Sequence, residues 1–168
     1  MAAKTAGTWI VLEPIGVGPL DSVDTAAAHV LGKRCKARDA GSTAYGFGEF
    51  IYLKGVASTV RGSVVLIKDD YSTSLVAARD KGALAVALAP VDADTKFGWY
   101  QILGQGVAAC DTVAANAPCY IDGTNGRVDD AAVAGDQIIG MRTVSADDTN
   151  TCVVNMSTYP ATADYDNA

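Results

Sequence analysis

A single histidine, His29, occurs in the 168-residue chain, so any imidazole base would have to be that one. It falls in an irregular stretch, and no Gly-x-Ser-x-Gly elbow supplies a nucleophile for it. The role expected of His29 is that of a turn residue bonded to backbone. The cysteines are Cys35, Cys110, Cys119 and Cys152. None forms a Cys-x-x-Cys pair, and a structural zinc site needs four close ligands in paired local spacings. Cys110 and Cys119 could approach across a hairpin, but the plain reading is four reduced, buried thiols acting as small hydrophobes. Adjacent carboxylates occur at Asp69-Asp70, Asp129-Asp130 and Asp147-Asp148. Such pairs can cleave glycosides or bind calcium, yet adjacent Asp residues most often form turns. Asp92-Ala93-Asp94-Thr95-Lys96 opens like a calcium loop, but Lys96 stands where a third oxygen ligand belongs. Gly16-Val17-Gly18-Pro19 opens like a dinucleotide loop, but the third glycine is missing and Pro19 removes an amide from the phosphate side. No Walker A motif is present. No catalytic, cofactor or metal residue is therefore assigned, and no enzyme is expected.

Composition bounds the remaining choices. The chain is acidic, with net charge −6 and a pI near 4.6. A protein that neutralises phosphates would be basic, so nucleic acid is not an expected partner. Mean hydropathy is +0.17 and charged residues are 19 %, which argues against disorder. The apolar runs are too short for a membrane helix, and no secretory leader is expected at the N-terminus. The charge is uneven. Residues 1–96 carry eleven basic and ten acidic side chains, while residues 97–168 carry two and nine. A local basic cluster, Lys33, Arg34, Lys36 and Arg38, lies near His29. On a strand these four would not all share a face. They form either a solvated loop or a contact to an acidic partner.

The elements that must position these residues read as β. Strand-like runs occur at Glu49 to Leu53, Ser63 to Lys68, Ala83 to Leu88, Gly98 to Leu103, Pro118 to Ile121, Gln137 to Arg142 and Thr151 to Met156. Turn clusters separate them, as in an all-β barrel or sandwich of short antiparallel strands with few or no helices. The sharpest hairpin is Cys119-Tyr120-Ile121, turning through Asp122-Gly123-Thr124-Asn125-Gly126 into Arg127-Val128. Trp99-Tyr100 has large residues on both faces of its strand, which places it under cover on both sides or at a subunit contact. Ala-rich Val23 to Val30 could form one short helix, and Tyr71 to Leu88 carries a weaker helical signal. Gly55-Val56-Ala57 echoes Gly106-Val107-Ala108, as two similar β-arches would. The segment from Trp9 to Leu20 is apolar but broken by Pro and Gly. The division expected is an extended N-terminal arm (1–28), a β-domain (29–160) and a flexible acidic tail (161–168).

One long stretch is more specific. Gly46-Phe47-Gly48-Glu49-Phe50-Ile51-Tyr52-Leu53-Lys54-Gly55-Val56-Ala57-Ser58-Thr59-Val60, preceded by His29-Val30-Leu31-Gly32 and Lys36-Ala37-Arg38-Asp39, resembles a family of small tailed-phage head proteins. The resemblance continues through Phe97-Gly98-Trp99-Tyr100-Gln101-Ile102, Thr112 to Ala117 and Val128 to Asp136, and covers roughly residues 29–157. These are capsid decoration, or cement, proteins, encoded beside the major capsid protein. The resemblance implies a virion structural role on the outer surface of an icosahedral head, after synthesis in the host cytoplasm. It implies the major capsid protein and further copies of the chain, as a trimer, for partners, with no catalytic residues to carry over. On this reading the shell contacts fall on the arm, at Trp9, Ile10, Val11, Leu12 and Ile15, and on Lys33, Arg34, Lys36 and Arg38. Trp99 and Tyr100 are the candidate subunit contacts. The alternative is a β-sandwich adhesion or carbohydrate-binding module, which an exposed Trp9 or Trp99 would favour and a buried Trp99 oppose.

Overall fold

The computed structural model describes residues 9–12, 18–41 and 45–163. The fold is all-β, and among the described residues there is no helix. In chain order the strands are β1 (Trp9–Val11), β2 (Val23–Asp24), β3 (Arg34–Asp39), β4 (Phe47–Lys54), β5 (Val64–Ile67), β6 (Thr73–Leu75), β7 (Leu84–Ala87), β8 (Phe97–Ala109), β9 (Pro118–Ile121), β10 (Val128–Asp129), β11 (Gln137–Thr143) and β12 (Thr151–Thr162). They join in one antiparallel hydrogen-bonded network whose main path runs β1-β3-β4-β8-β12-β11-β9-β10.

The thirteen-residue β8 organises this network. One edge of β8 pairs with β4 from Phe97 to Gly104. The other edge is shared by three partners in succession. They are β2 at Phe97 and Gly98, β7 at Tyr100 and Gln101, and β12 from Gly104 to Ala109. With strands on both edges and side chains covered on both faces, the Trp99-Tyr100 region is fully interior. Gly104 permits the crossing (φ +96°). A Cβ there would run into the Phe47 carbonyl and the Gly48 Cα, so the two backbones meet where neither has a side chain.

Register shifts in β4 and β12 shape the sheet. Between Glu49 and Phe50 the register slips, so that Phe50 faces Gln101 and Glu49 faces Leu103. The Gln101 side chain is buried and donates from Nε2 to the Leu103 and Gln105 carbonyls, at 3.1 and 2.9 Å. In β12, Met156 pairs with Met141 and Ala161 with Ile139, so residues 157–160 swell out opposite Gly140 alone. That swelling accommodates Pro160, which cannot donate to a ladder, and it projects Tyr159 outwards.

Three apolar clusters form the core. The first, around Val64, Val86, Cys110, Cys119, Cys152 and Met156, lies under β9 to β12. The second, around Ile51, Leu53, Val65 and Tyr100, lies between β4 and β7. The third gathers Leu20, Cys35, Phe50, Tyr52 and Trp99, with Trp9 and Val11 packed against it.

Several expectations are corrected. The stretch from Val23 to Val30 is not helical. Val23 and Asp24 pair with β8, and Asp24 accepts a hydrogen bond from Tyr52. A helix of two turns is marginal alone, and these tertiary bonds outcompete it. Tyr71 to Leu88 is β6 and β7, with the chain broken by left-handed Tyr71 (φ 59°) and Arg79 (φ 67°). Gly55 to Val60 is irregular, whereas Gly106 to Ala108 lies within β8, so the repeated words do not build two like arches. Ala161 and Thr162, placed in the tail by the sequence, are paired in β12. Residues 164–168 and Ile15 lie outside the described residues. The described part of the arm is extended but docked. It supplies β1, β2 and the buried Leu20.

Candidate functional site

The sheet edge at β1 brings most of the predicted contact residues together. Ile10 pairs with Arg38 and Val11 with Ala37, while the Leu12 amide donates to the Lys36 carbonyl at 2.9 Å. Strand alternation then sorts the side chains. In β3 (Arg-Cys-Lys-Ala-Arg-Asp), Cys35, Ala37 and Asp39 are buried, and Arg34, Lys36 and Arg38 are exposed. Three of the four basic residues thus share one face, at i, i+2 and i+4. Lys33, just before the strand, is out of phase with them and half-buried. Arg34, Lys36 and Arg38 therefore lie on a strand and not in a solvated loop.

Flanking side chains turn this row into a mixed face. On one side stand Ile10 of β1 and Leu12 just after it, and on the other Phe47 and Glu49 of β4, opposite Arg38 and Lys36. Ile10, Leu12, Phe47 and Tyr159 keep 43–53 % of their surface exposed. Tyr159 reaches in from the β12 bulge. Its hydroxyl donates to Glu49 Oε2 at 2.8 Å, and the Arg34 guanidinium lies 5.0 Å from the centre of its ring. The bond to Glu49 holds the Tyr159 hydroxyl above its ordinary pKa. Lys36 Nζ lies 3.6 Å from the other Glu49 oxygen. Arg34, Tyr159, Glu49 and Lys36 therefore form one linked row, while Arg38 makes no ion pair among the described residues. Exposed pairs of this kind contribute little stability, so the row orders side chains more than it holds the fold.

Sequence reasoning missed Phe47 and Tyr159. A strand read from Glu49 leaves out Phe47, although Gly48 between them belongs to β4, and Tyr159 lies beyond the run that ends at Met156. Trp9 and Val11 alternate with Ile10 to the inner face, where the Trp9 ring meets Phe50 edge-on at 4.8 Å. They anchor β1 and present little surface. Trp99 and Tyr100 are 1 % and 0 % exposed within this one chain, so neither can be a subunit contact. A buried Trp99 also opposes ring stacking of a sugar upon it.

The groups that could do chemistry are occupied elsewhere. Asp70 Oδ1 accepts from the Ser72 amide and hydroxyl, Asp129 Oδ1 from the amides of Asp130 and Ala131, and Asp147 Oδ1 from the Val113 amide. Asp70 and Asp129 thus close local turns, while Asp147 ties its loop to a residue distant in sequence, as Asp130 does by accepting from the Ala114 amide. Lys96 Nζ lies 2.6 Å from Asp92 Oδ1, so the lysine neutralises the loop that resembled a calcium site. His29 rests edge-on against Tyr52 (5.0 Å) and near Trp99 (5.4 Å). All four cysteines are free and buried. Cys110 and Cys152 share a thiol hydrogen bond, which raises Cys152, and burial pushes Cys119 up to about 12. Cys110 and Cys119 are not joined. Among the described residues no three His, Cys, Asp or Glu side chains are grouped to hold a metal ion.

No protein-family model matches the chain, and no curated protein sequence matches it.

Proposed function

We propose that this chain is a non-catalytic capsid decoration protein, which binds the outer surface of an icosahedral phage head through the face of β1, β3 and β4 and stabilises the shell. The observation that carries this reading is the row Arg34, Lys36 and Arg38 flanked by Ile10, Leu12, Phe47 and Tyr159 at a sheet edge. Apolar side chains interleaved with cations suit a protein surface that is acidic and partly apolar, since charge steers the encounter and apolar burial holds the contact. The resemblance over residues 29–157 points to the same role, with the major capsid protein as partner. Several copies on a symmetric shell gain avidity from modest individual contacts, which suits a trimer. Any contact between copies uses residues other than Trp99 and Tyr100.

The test mixes the purified chain with heads that lack it and measures occupancy by co-sedimentation over a salt series. Reversing Arg34, Lys36 and Arg38 to Glu should lower occupancy most at low salt, where exposed charges are least screened. Equal occupancy by the wild type and the triple variant at every salt concentration would overturn this docking face. No occupancy by the wild type would overturn the decoration role.

A further inference from the structure

The three cations of the β3 row are in different states. The Arg34 guanidinium lies 5.0 Å from the centre of the Tyr159 ring, and Lys36 Nζ lies 3.6 Å from Glu49. Both charges already have a counterpart within the chain. The Arg38 guanidinium is exposed and makes no ion pair, hydrogen bond or ring contact with another described residue. Its neighbour Asp39 is buried on the opposite face of the strand, and Glu49 is held by Lys36 and Tyr159.

The surroundings of Arg38 are apolar. The strand register sets Ile10 of β1 directly opposite it on one side and Phe47 of β4 directly opposite it on the other. Residues paired in this way hold their Cβ atoms about 4.5–5.5 Å apart, and their side chains leave the sheet on the same face. Ile10 and Phe47 each keep 43 % of their surface exposed. A row of apolar, cationic and apolar side chains thus crosses three strands. Two residues along β3, Lys36 faces Glu49 instead, and its charge is answered there.

Whatever covers this row has to satisfy both of its parts. A wholly apolar surface would bury a guanidinium without a counter-charge, which is costly. A hydrated anion alone would leave Ile10 and Phe47 in water. A carboxylate set among apolar side chains meets both needs. Guanidinium and carboxylate pair through two parallel hydrogen bonds, and apolar contact on either side excludes water from them.

We propose that Arg38 is the specificity-determining residue of the docking face, and that it receives one Asp or Glu side chain of the shell protein, seated between apolar side chains that cover Ile10 and Phe47. This inference rests on the decoration reading and adds to it the chemistry of the partner's contact. Arg34 and Lys36, already engaged by Tyr159 and Glu49, steer the encounter more than they hold the contact.

The experiment measures the affinity of the full chain for purified heads that lack it, at one salt concentration, for the wild type, Arg38→Gln and Lys36→Gln, with a thermal melt of each. Arg38→Gln should bind about tenfold or more weakly and melt with the wild type, because the side chain is exposed and bonds nothing else. Lys36→Gln should change affinity by less than about threefold. The same titrations are repeated on heads whose carboxylates have been converted to amides with a carbodiimide and glycinamide. There the loss should be about tenfold larger for the wild type than for Arg38→Gln, as it is for groups that contact each other. A wild type that binds heads no better than Arg38→Gln would overturn this inference and leave the decoration reading standing. So would equal losses for Arg38→Gln and Lys36→Gln (a diffuse field of charge), or equal losses for the wild type and Arg38→Gln on amidated heads (no carboxylate at Arg38). A wild type that does not bind heads at all would overturn the decoration reading, and this inference with it.

Discussion

Tyr52 is the point at which the segment leading into β3 is tied to the β-domain. Its hydroxyl donates to Asp24 Oδ2 at 2.5 Å and accepts from the Ala28 amide at 3.1 Å, while its ring supports His29. Tyr52→Phe keeps the ring and deletes both bonds. A hydrogen bond to a charged group contributes about 1.5–3 kcal/mol. Ala28 is exposed, so water can replace its partner, and the loss at Asp24 dominates. At about 1.4 kcal/mol per tenfold change, local opening of this segment should rise by roughly 10- to 100-fold. Amide hydrogen exchange across residues 20–31 should speed up by that factor, with the amides of β8 and β12 changing far less. Exchange within about threefold of wild type over 20–31 would refute the reasoning.

The same tie gives a pH signature. Burial first, and the bond to Asp24 second, raise the Tyr52 hydroxyl from about 10 to about 12. The folded state thus keeps a proton that the unfolded state loses. The resulting stability is fully present below pH 10 and is lost as pH rises to 12. Tyr100 is also raised, by burial, so the informative quantity is the difference between proteins. Between pH 10 and 12 the wild type should lose stability more steeply than Tyr52→Phe.

Two further outcomes follow from the core. Gln101→Leu removes the donor to the Leu103 and Gln105 carbonyls at the β4 bulge, and leaving two part-buried acceptors short should cost about 1–3 kcal/mol in urea unfolding. A loss under about 0.5 kcal/mol would mean that those carbonyls have other partners. A bulky thiol reagent at pH 8 should modify none of the four cysteines in the native protein and all four in denaturant, since every one is buried and the Cys119 thiol is pushed up to about 12. Rapid native labelling of any of them would contradict that burial.

The strands that alternate or run continuously apolar could be read directly, as could the hairpin at Cys119 to Val128, because local turn chemistry specifies it. Its register, Ile121 to Val128 and Tyr120 to Asp129, is the one that the intervening turn residues favour. What escaped was set at long range. The helix expected at Val23 to Val30 lost to Tyr52, 28 residues from its partner Asp24. β3 was hidden because its buried positions are Cys35, Ala37 and Asp39, which carry almost no apolar signal. Tyr159 joined the basic face only through a bulge facing Gly140, and no spacing rule announces that bulge.

The docked N-terminal segment also decides how the docking face can be tested. Deleting residues 1–28 is the natural experiment for a free arm. Here it would remove β1, β2, Leu20 and Asp24 together, uncovering Phe50, Cys35 and Trp99 in the third core cluster. Losing one buried Leu costs about 2–5 kcal/mol, and a whole domain is stable by only about 5–15 kcal/mol. The deletion should therefore lower the thermal midpoint sharply or unfold the chain, and its failure to bind heads would say nothing about contact. Ile10→Ser with Leu12→Ser separates the two effects, because both side chains face outward while Trp9 and Val11 keep β1 in place. The double variant should melt within a few degrees of wild type, as surface changes do, yet occupy heads less. A deletion variant that melts with the wild type would show that β1 and Leu20 contribute nothing to the core.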